Sequence, residues 1–451
     1  MDDSEYFSGE DYFEQFHAWP FTCEDSDCSP FWAFAEYDED YDHVDDMFDM
    51  DPDWQSTAEP WETTNSDETK KSYAHLPDED CEKLKETFTS GTTRAITFDG
   101  CTFSVEGCKI LAKALERNET LTAVEFSFVL AVGDESCKAL ADMLKVNKTL
   151  NSIEFTDCCV GAEGCKALVN ALECNTSLTR LGLRSCPIGD EGYKVLANAL
   201  KTNTTLAEID LAGNKYYVYQ HCAEGVKSII SSLEKNTTLK NLKLERCGID
   251  AETCEALGEM LQVNRTITHF SIAENAFGYE GCEALALALH SNKTLTSVWL
   301  TRCDIDDDGC EELADMLKLN KTLESLWLDD NKFAYQGCKA LAEALEMNKS
   351  ITYLNIEGNN LRNGGEDALN DSLQGNDTLR TLLAGDDSDK RWYWSLKHSR
   401  VLHRKKMLLS KPFYLGGARN ISASAECIGQ SSPFTYINSY MRRARSSCGD
   451  A

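Results

Sequence analysis

The polar and apolar positions of this chain repeat. Read from Leu295 the sequence is LTSVWLTRCDIDDDGCEELADMLKLNKT, and from Leu323 it is LESLWLDDNKFAYQGCKALAEALEMNKS, matched position for position. The same register opens at Leu121, Leu150, Leu178, Leu206, Leu239, Ile267, Leu295, Leu323, Ile351 and Leu379, with a degenerate first copy at Thr93. The spacing is 28 residues except for 29 after Leu121 and 33 after Leu206. The first half of each unit alternates apolar and polar side chains, which predicts a short half-buried strand; the second half, as in GCKALAEALEMNK, has helical apolar spacing. In the unit from Leu295, the residues Leu295, Val298, Leu300 and Ile305 are expected to point inward. Cys310, Leu313 and Leu317 of the helix close over them. A single unit cannot bury that face, so the units must stack into one continuous core.

The period, the pattern L-x-x-L-x-L-x-x-[NC]-x-[ILF] and the helical second half resemble the ribonuclease-inhibitor-like class of leucine-rich repeats. That class is also found in NOD-like receptors and Ran GTPase-activating proteins. The resemblance covers about residues 93–386. It implies an α/β leucine-rich-repeat solenoid, a curved horseshoe with parallel strands inside and helices outside. The ninth position holds Cys158, Cys186, Asn214, Cys247, Asn275, Cys303, Asn331 and Asn359, expected as buried groups that satisfy the polar backbone of the turn. Ten N-x-[ST] triplets, from Asn118 to Asn376, recur with the same period. They read as helix ends, with Asn in the left-handed conformation, and not as glycosylation sites.

Charge divides the chain further. Residues 1–80 carry 2 basic and 26 acidic side chains, residues 81–389 carry 30 and 48, and residues 390–451 carry 12 and 2. An acidic body and head disfavour nucleic-acid binding, because they repel a phosphate backbone. Residues 1–75 intersperse acidic residues with Tyr, Phe and Trp, a composition expected to be disordered and to dock on a basic partner. Residues 76–92 predict an N-terminal capping helix, and residues 93–389 about eleven repeats. The basic tail, 390–451, opens with KRWYWSLKHSRVLHRKKMLL. That stretch predicts an amphipathic helix able to cap the last repeat with Trp392, Trp394, Leu396, Leu402 and Leu409. Its HRKK and MRRAR runs suit nuclear import, a lipid surface or an acidic partner, the chain's own head included. Five extra residues in the Leu206 unit predict a bulged loop bearing Tyr216, Tyr217 and Tyr219.

The first residues lack the basic start and apolar stretch of a secretory signal, and no apolar run reaches transmembrane length. The cysteines, 20 in all, are therefore expected as cytoplasmic thiols, with nuclear entry left open by the tail. There is no C-x-x-C pair, no phosphate-binding loop and no H-E-x-x-H or G-x-S-x-G motif, so no cofactor, metal, small-molecule substrate or catalysis is expected.

The polar strand positions form columns across the repeats. The fifth position reads Glu125, Glu154, Gly182, Asp210, Lys243, Ser271, Trp299, Trp327, Asn355. Nearby columns add His269 and Tyr353, Asp329, and Arg246, Arg302 and Asp330. Aromatics flanked by Arg and Asp are the composition of protein-binding hot spots, so these eight residues (Trp299, Trp327, Tyr353, Arg302, Arg246, His269, Asp329, Asp330) are the expected partner contacts. Known ribonuclease inhibitors bind through a similar aromatic-bearing concave face. The alternative that the resemblance implies is a Ran-type GTPase activator, with Arg94, Arg180 or Arg184 at its edge. Against it, that family's acidic tail is C-terminal, whereas the acidic segment here is N-terminal.

Overall fold

In a computed structural model, the described residues are 62–65, 68–72, 75–89, 93–214, 223–361, 365–373, 375–384 and 392–395. The acidic-aromatic head before residue 62, the tyrosine-bearing loop at 215–222 and the basic tail after residue 395 lie outside them.

Each repeat contributes one strand and one helix. The repeat strands are β3 (Ala95–Asp99), β4 (Ala123–Ser127), β5 (Ser152–Thr156), β6 (Arg180–Arg184), β7 (Glu208–Asp210), β8 (Asn241–Lys243), β9 (His269–Ser271), β10 (Ser297–Trp299), β11 (Ser325–Trp327), β12 (Tyr353–Asn355) and β13 (Thr381–Ala384). The intervening helices are α2 (Val105–Leu115), α3 (Asp134–Val146), α4 (Ala162–Leu172), α5 (Gly189–Leu200), α6 (Ala223–Leu233), α7 (Ala251–Val263), α8 (Gly278–Ser291), α9 (Asp307–Leu319), α10 (Tyr335–Met347) and α11 (Gly365–Leu373). Ahead of them stand β1 (Glu62–Asn65), β2 (Glu68–Ser72) and α1 (Asp78–Thr89), and β14 (Trp392–Ser395) follows. All strands join one sheet in chain order, parallel from β2 to β13. Parallel strands sit about 4.8 Å apart, whereas packed helices need 8–10 Å. The strand side is therefore the inner side of the solenoid.

The inward positions read from the unit at Leu295 are all buried: Leu295, Val298, Leu300, Ile305, Cys310, Leu313 and Leu317 are each no more than 1 % exposed. In the first three repeats the inward core carries a spine of rings. Phe126 stacks between Phe98 and Phe155 at centroid distances of 5.3 and 5.7 Å. Phe103 meets Phe98 and Phe126 edge-on.

Both ends of the sheet are closed by antiparallel strands. β1 pairs with β2, extending the sheet beyond the first repeat, an addition that the pattern of residues 1–75 did not disclose. At the other end the structure corrects an expectation. Residues 392–395 are not helical; they form β14, antiparallel to β13. Trp-Tyr-Trp favours a strand, and an unpaired final strand presents a row of open backbone groups that β14 fills.

The recurrent asparagines take a different conformation from the one expected. Asn147, Asn264, Asn292, Asn320 and Asn348 end their helices with φ between −64 and −70° and ψ between 133 and 136°, extended rather than left-handed. Their side chains explain it. Asn320 Nδ2 donates to the carbonyl of Leu289 in the preceding helix at 2.7 Å, and its Oδ1 accepts from Thr322 N and Leu323 N at 2.9 and 2.8 Å. The same three bonds recur at Asn147, Asn175, Asn264, Asn292, Asn348 and Asn376. Each amide thus caps an orphan carbonyl of the neighbouring helix while it turns its own chain into the next strand. The left-handed residue sits instead at the eighth position, from Gly100 to Gly358.

The ninth position works as expected. Asn331 Nδ2 donates to Leu300 O and Leu328 O, and its Oδ1 accepts from Cys303 N and Ile305 N. Where cysteine stands there, the thiol donates instead, as Cys303 does to Ile272 O and Thr301 O at 3.4 Å. Burial pushes the Cys158 thiol up to about 12, so it is a packing group and not a nucleophile.

Candidate partner-binding face

Side chains at the third, fifth and seventh positions point away from the core, and lateral pairing brings equivalent positions together. Trp299 pairs in register with Trp327 on one side and Ser271 on the other; Ser297 pairs with His269, and Ser325 with Tyr353. The indoles of Trp299 and Trp327 stack at 4.3 Å, with 14° between their planes. His269 continues the stack from Trp299 at 6.2 Å, and Tyr353 from Trp327 at 4.8 Å. The four expected aromatics therefore form one ladder across β9 to β12, every ring half-buried. Burial lowers the His269 pKa, favouring the neutral ring.

The charged candidates divide. Arg246, Arg302 and Asp330 occupy left-handed turn positions, with φ of 53, 54 and 53°, at the rim of the face. Each is engaged with a neighbouring repeat: Arg246 pairs with Glu274, and Arg302 with Asp330 at 3.1 Å. Asp329 belongs to the face itself, two residues beyond Trp327. It is 4 % exposed, and Thr301 Oγ1 donates to it at 2.9 Å.

Burial pushes the Asp329 carboxyl up from 3.8 to about 7. Between about pH 4 and 7 the folded chain keeps a proton there that the unfolded chain has released, so stability falls as pH rises through that window. Asp329→Asn keeps an acceptor for Thr301 and removes the charge. It is expected to raise stability at pH 8 by ~4 kcal/mol at most, with little change at pH 4. Denaturant unfolding at the two pH values checks this, and a loss of stability at pH 8 contradicts it.

A second cluster on the same face was not picked out from the sequence. Arg180 lies 3.0 Å from Glu154 and 3.5 Å from Glu208; Lys243 lies 2.9 Å from Glu208 and 3.5 Å from Asp210; Arg184 bonds Asp210 at 2.9 Å. Burial acts to raise the Asp210 carboxyl, but Arg184 and Lys243 outweigh it and hold it at about 2. The alternating signs in the third and fifth columns carried that signal. Arg180 and Arg184, considered above as edge arginines, spend their guanidinium groups within this network, and Arg94 bonds Thr120 O at 3.3 Å. Among the described residues no helix is long and apolar enough to cross a membrane.

The leucine-rich-repeat family model matches residues 146–169, 174–197, 263–286, 291–314 and 319–342. No curated protein matches the chain. Among solved structures, the chain is similar to the crystal structure of the Rad7 and Elc1 complex in yeast, with 17% identity over 68% of this chain and 78% of that one and a TM-score of 0.41. It is also similar to actin-binding site 2 of leiomodin-1, with 20% identity over 34% of this chain and 87% of that one and a TM-score of 0.28. A third is the tropomodulin C-terminal domain of Caenorhabditis elegans, with 17% identity over 33% and 92% and a TM-score of 0.30. With its 28-residue units, one strand and one helix to each, and five matched repeats, the chain is a leucine-rich-repeat protein.

Proposed function

We propose that this chain is a non-catalytic interaction scaffold of the ribonuclease-inhibitor-like class, which holds a protein partner against the inner face of its solenoid in the cytoplasm. The observation that carries this reading is the ladder His269–Trp299–Trp327–Tyr353, four half-buried rings stacked side by side on a face whose other columns are polar. Contiguous aromatics left open on a soluble surface mark an interaction site, and Trp and Tyr dominate binding hot spots. The acidic-aromatic head at residues 1–75 recruits a second, basic partner in this reading.

The test is site-specific photo-crosslinking in native lysate. With p-benzoylphenylalanine at Ser325, beside Trp327 and Tyr353, a discrete protein is expected to be captured. The same group at Asp315, exposed on the outer helix α9, is expected to capture none. Capture from Asp315 alone, or from neither position, contradicts the reading.

A further inference from the structure

The charge balance of the strand face narrows the chemistry of the partner, an inference that rests on the reading just given. At the third, fifth and seventh positions the cations are Arg180, Arg184 and Lys243, and all three are committed to Glu154, Glu208 and Asp210. Carboxylates are in excess. Among the described residues, Asp329 and Glu245 have no cation within ion-pair distance. Asp329 accepts from the Thr301 hydroxyl, whereas Glu245 lies beside the Ser271 hydroxyl and is attracted by Arg184 and Lys243 without an ion pair to either. Asp329, Glu245 and Ser271 are more than nine-tenths buried, at 4, 7 and 3 % exposure.

Their placement gives this imbalance a location. Ser271 lies in register beside Trp299, and Glu245 follows Lys243, the register partner of Ser271, by two residues. Asp329 follows Trp327 by two residues on the same face. Asp329, buried without a counter-charge, therefore flanks the indole pair beside Trp327, whereas Glu245, two strands away from Trp299, is already attracted by Arg184 and Lys243 from beyond ion-pair distance. A buried carboxylate without a cation is strongly penalised, and a cation brought by a partner relieves that penalty at Asp329, beside Trp327.

We propose that the partner side chain seated on the Trp299–Trp327 pair is an arginine, its guanidinium lying on the indoles and drawn by Asp329. Arginine fits better than lysine because its planar ion stacks on an aromatic face while its edge still donates to carboxylates. The rim arginines Arg246 and Arg302, which border this seat, are engaged by Glu274 and Asp330.

The experiment is fluorescence anisotropy with the full chain and a fluorescein-labelled Gly-Ser peptide carrying spaced arginines, at physiological salt, where long-range attraction is screened beyond about 8 Å. The arginine peptide is expected to bind. Citrulline at the same positions is expected to weaken it by about 10-fold, and lysine by a smaller factor. Asp329→Asn is expected to weaken it by about 5-fold, while Glu163→Gln, the same charge change on the outer helix α4, leaves it unaltered. Equal binding of the citrulline or lysine peptide, equal effects of Asp329→Asn and Glu163→Gln, or no binding of the arginine peptide overturns the assignment. If a protein is still captured from Ser325 in that case, the face remains an interaction surface and only the arginine falls.

Discussion

Asn320→Ala is expected to destabilise the solenoid by about 3 kcal/mol or more. The substitution leaves the Leu289 carbonyl and the amides of Thr322 and Leu323 without their partner, and each buried unsatisfied group costs about 1–3 kcal/mol. Asn320 itself is 3 % exposed, so water does not replace the lost bonds. Because its amide caps the helix of the preceding repeat, the damage falls on coupling between neighbours. A repeat array is held by nearest-neighbour terms, and the expected signature is a broadened or split denaturant transition. Hydrogen exchange is expected to speed up in α8, α9 and β11 before β3 to β5 respond. An unchanged midpoint with uniform exchange would show that the asparagine ladder is not a structural element of the stack.

The repeat itself was legible because a half-buried strand and an amphipathic helix each write their period directly into side-chain polarity. Leu295, Val298 and Leu300 could be oriented from spacing alone. So could the neighbouring of Trp299 and Trp327, since units of equal length bring equal positions into register. Other features depend on atoms that no local pattern encodes. The recurrent asparagines looked like left-handed helix ends because Asn tolerates that conformation. Their partners are carbonyls about 31 residues earlier in the chain, and it is these bonds that hold the backbone extended. β14 was missed because its stability comes from the open edge of β13, not from its own period. Each member of the Arg180–Glu208–Lys243 network looks like an ordinary surface residue on its own strand; only lateral pairing brings the charges together. The burial of Asp329 likewise depends on its neighbours in space, so its uncompensated charge had no signature in the sequence.

Trp299→Ala/Trp327→Ala is expected to abolish most partner binding while sparing the fold. The indoles lie on the face opposite the core, where Val298 and Leu326, each no more than 1 % exposed, remain in place beneath them. Truncation therefore removes the stack with His269 and Tyr353 but opens no cavity in the solenoid. An aromatic anchor at an interface contributes about 2 kcal/mol or more, equivalent to about 30-fold in affinity, and this pair offers two such anchors. The direct measurement is the Kd of the protein captured from Ser325 for the native chain and for the doubly substituted chain, with thermal unfolding recorded on both. A Kd weakened by about 30-fold or more at nearly unchanged stability is the predicted result. An unchanged Kd with the fold intact would place the partner elsewhere on the chain and contradict the assignment of the inner face.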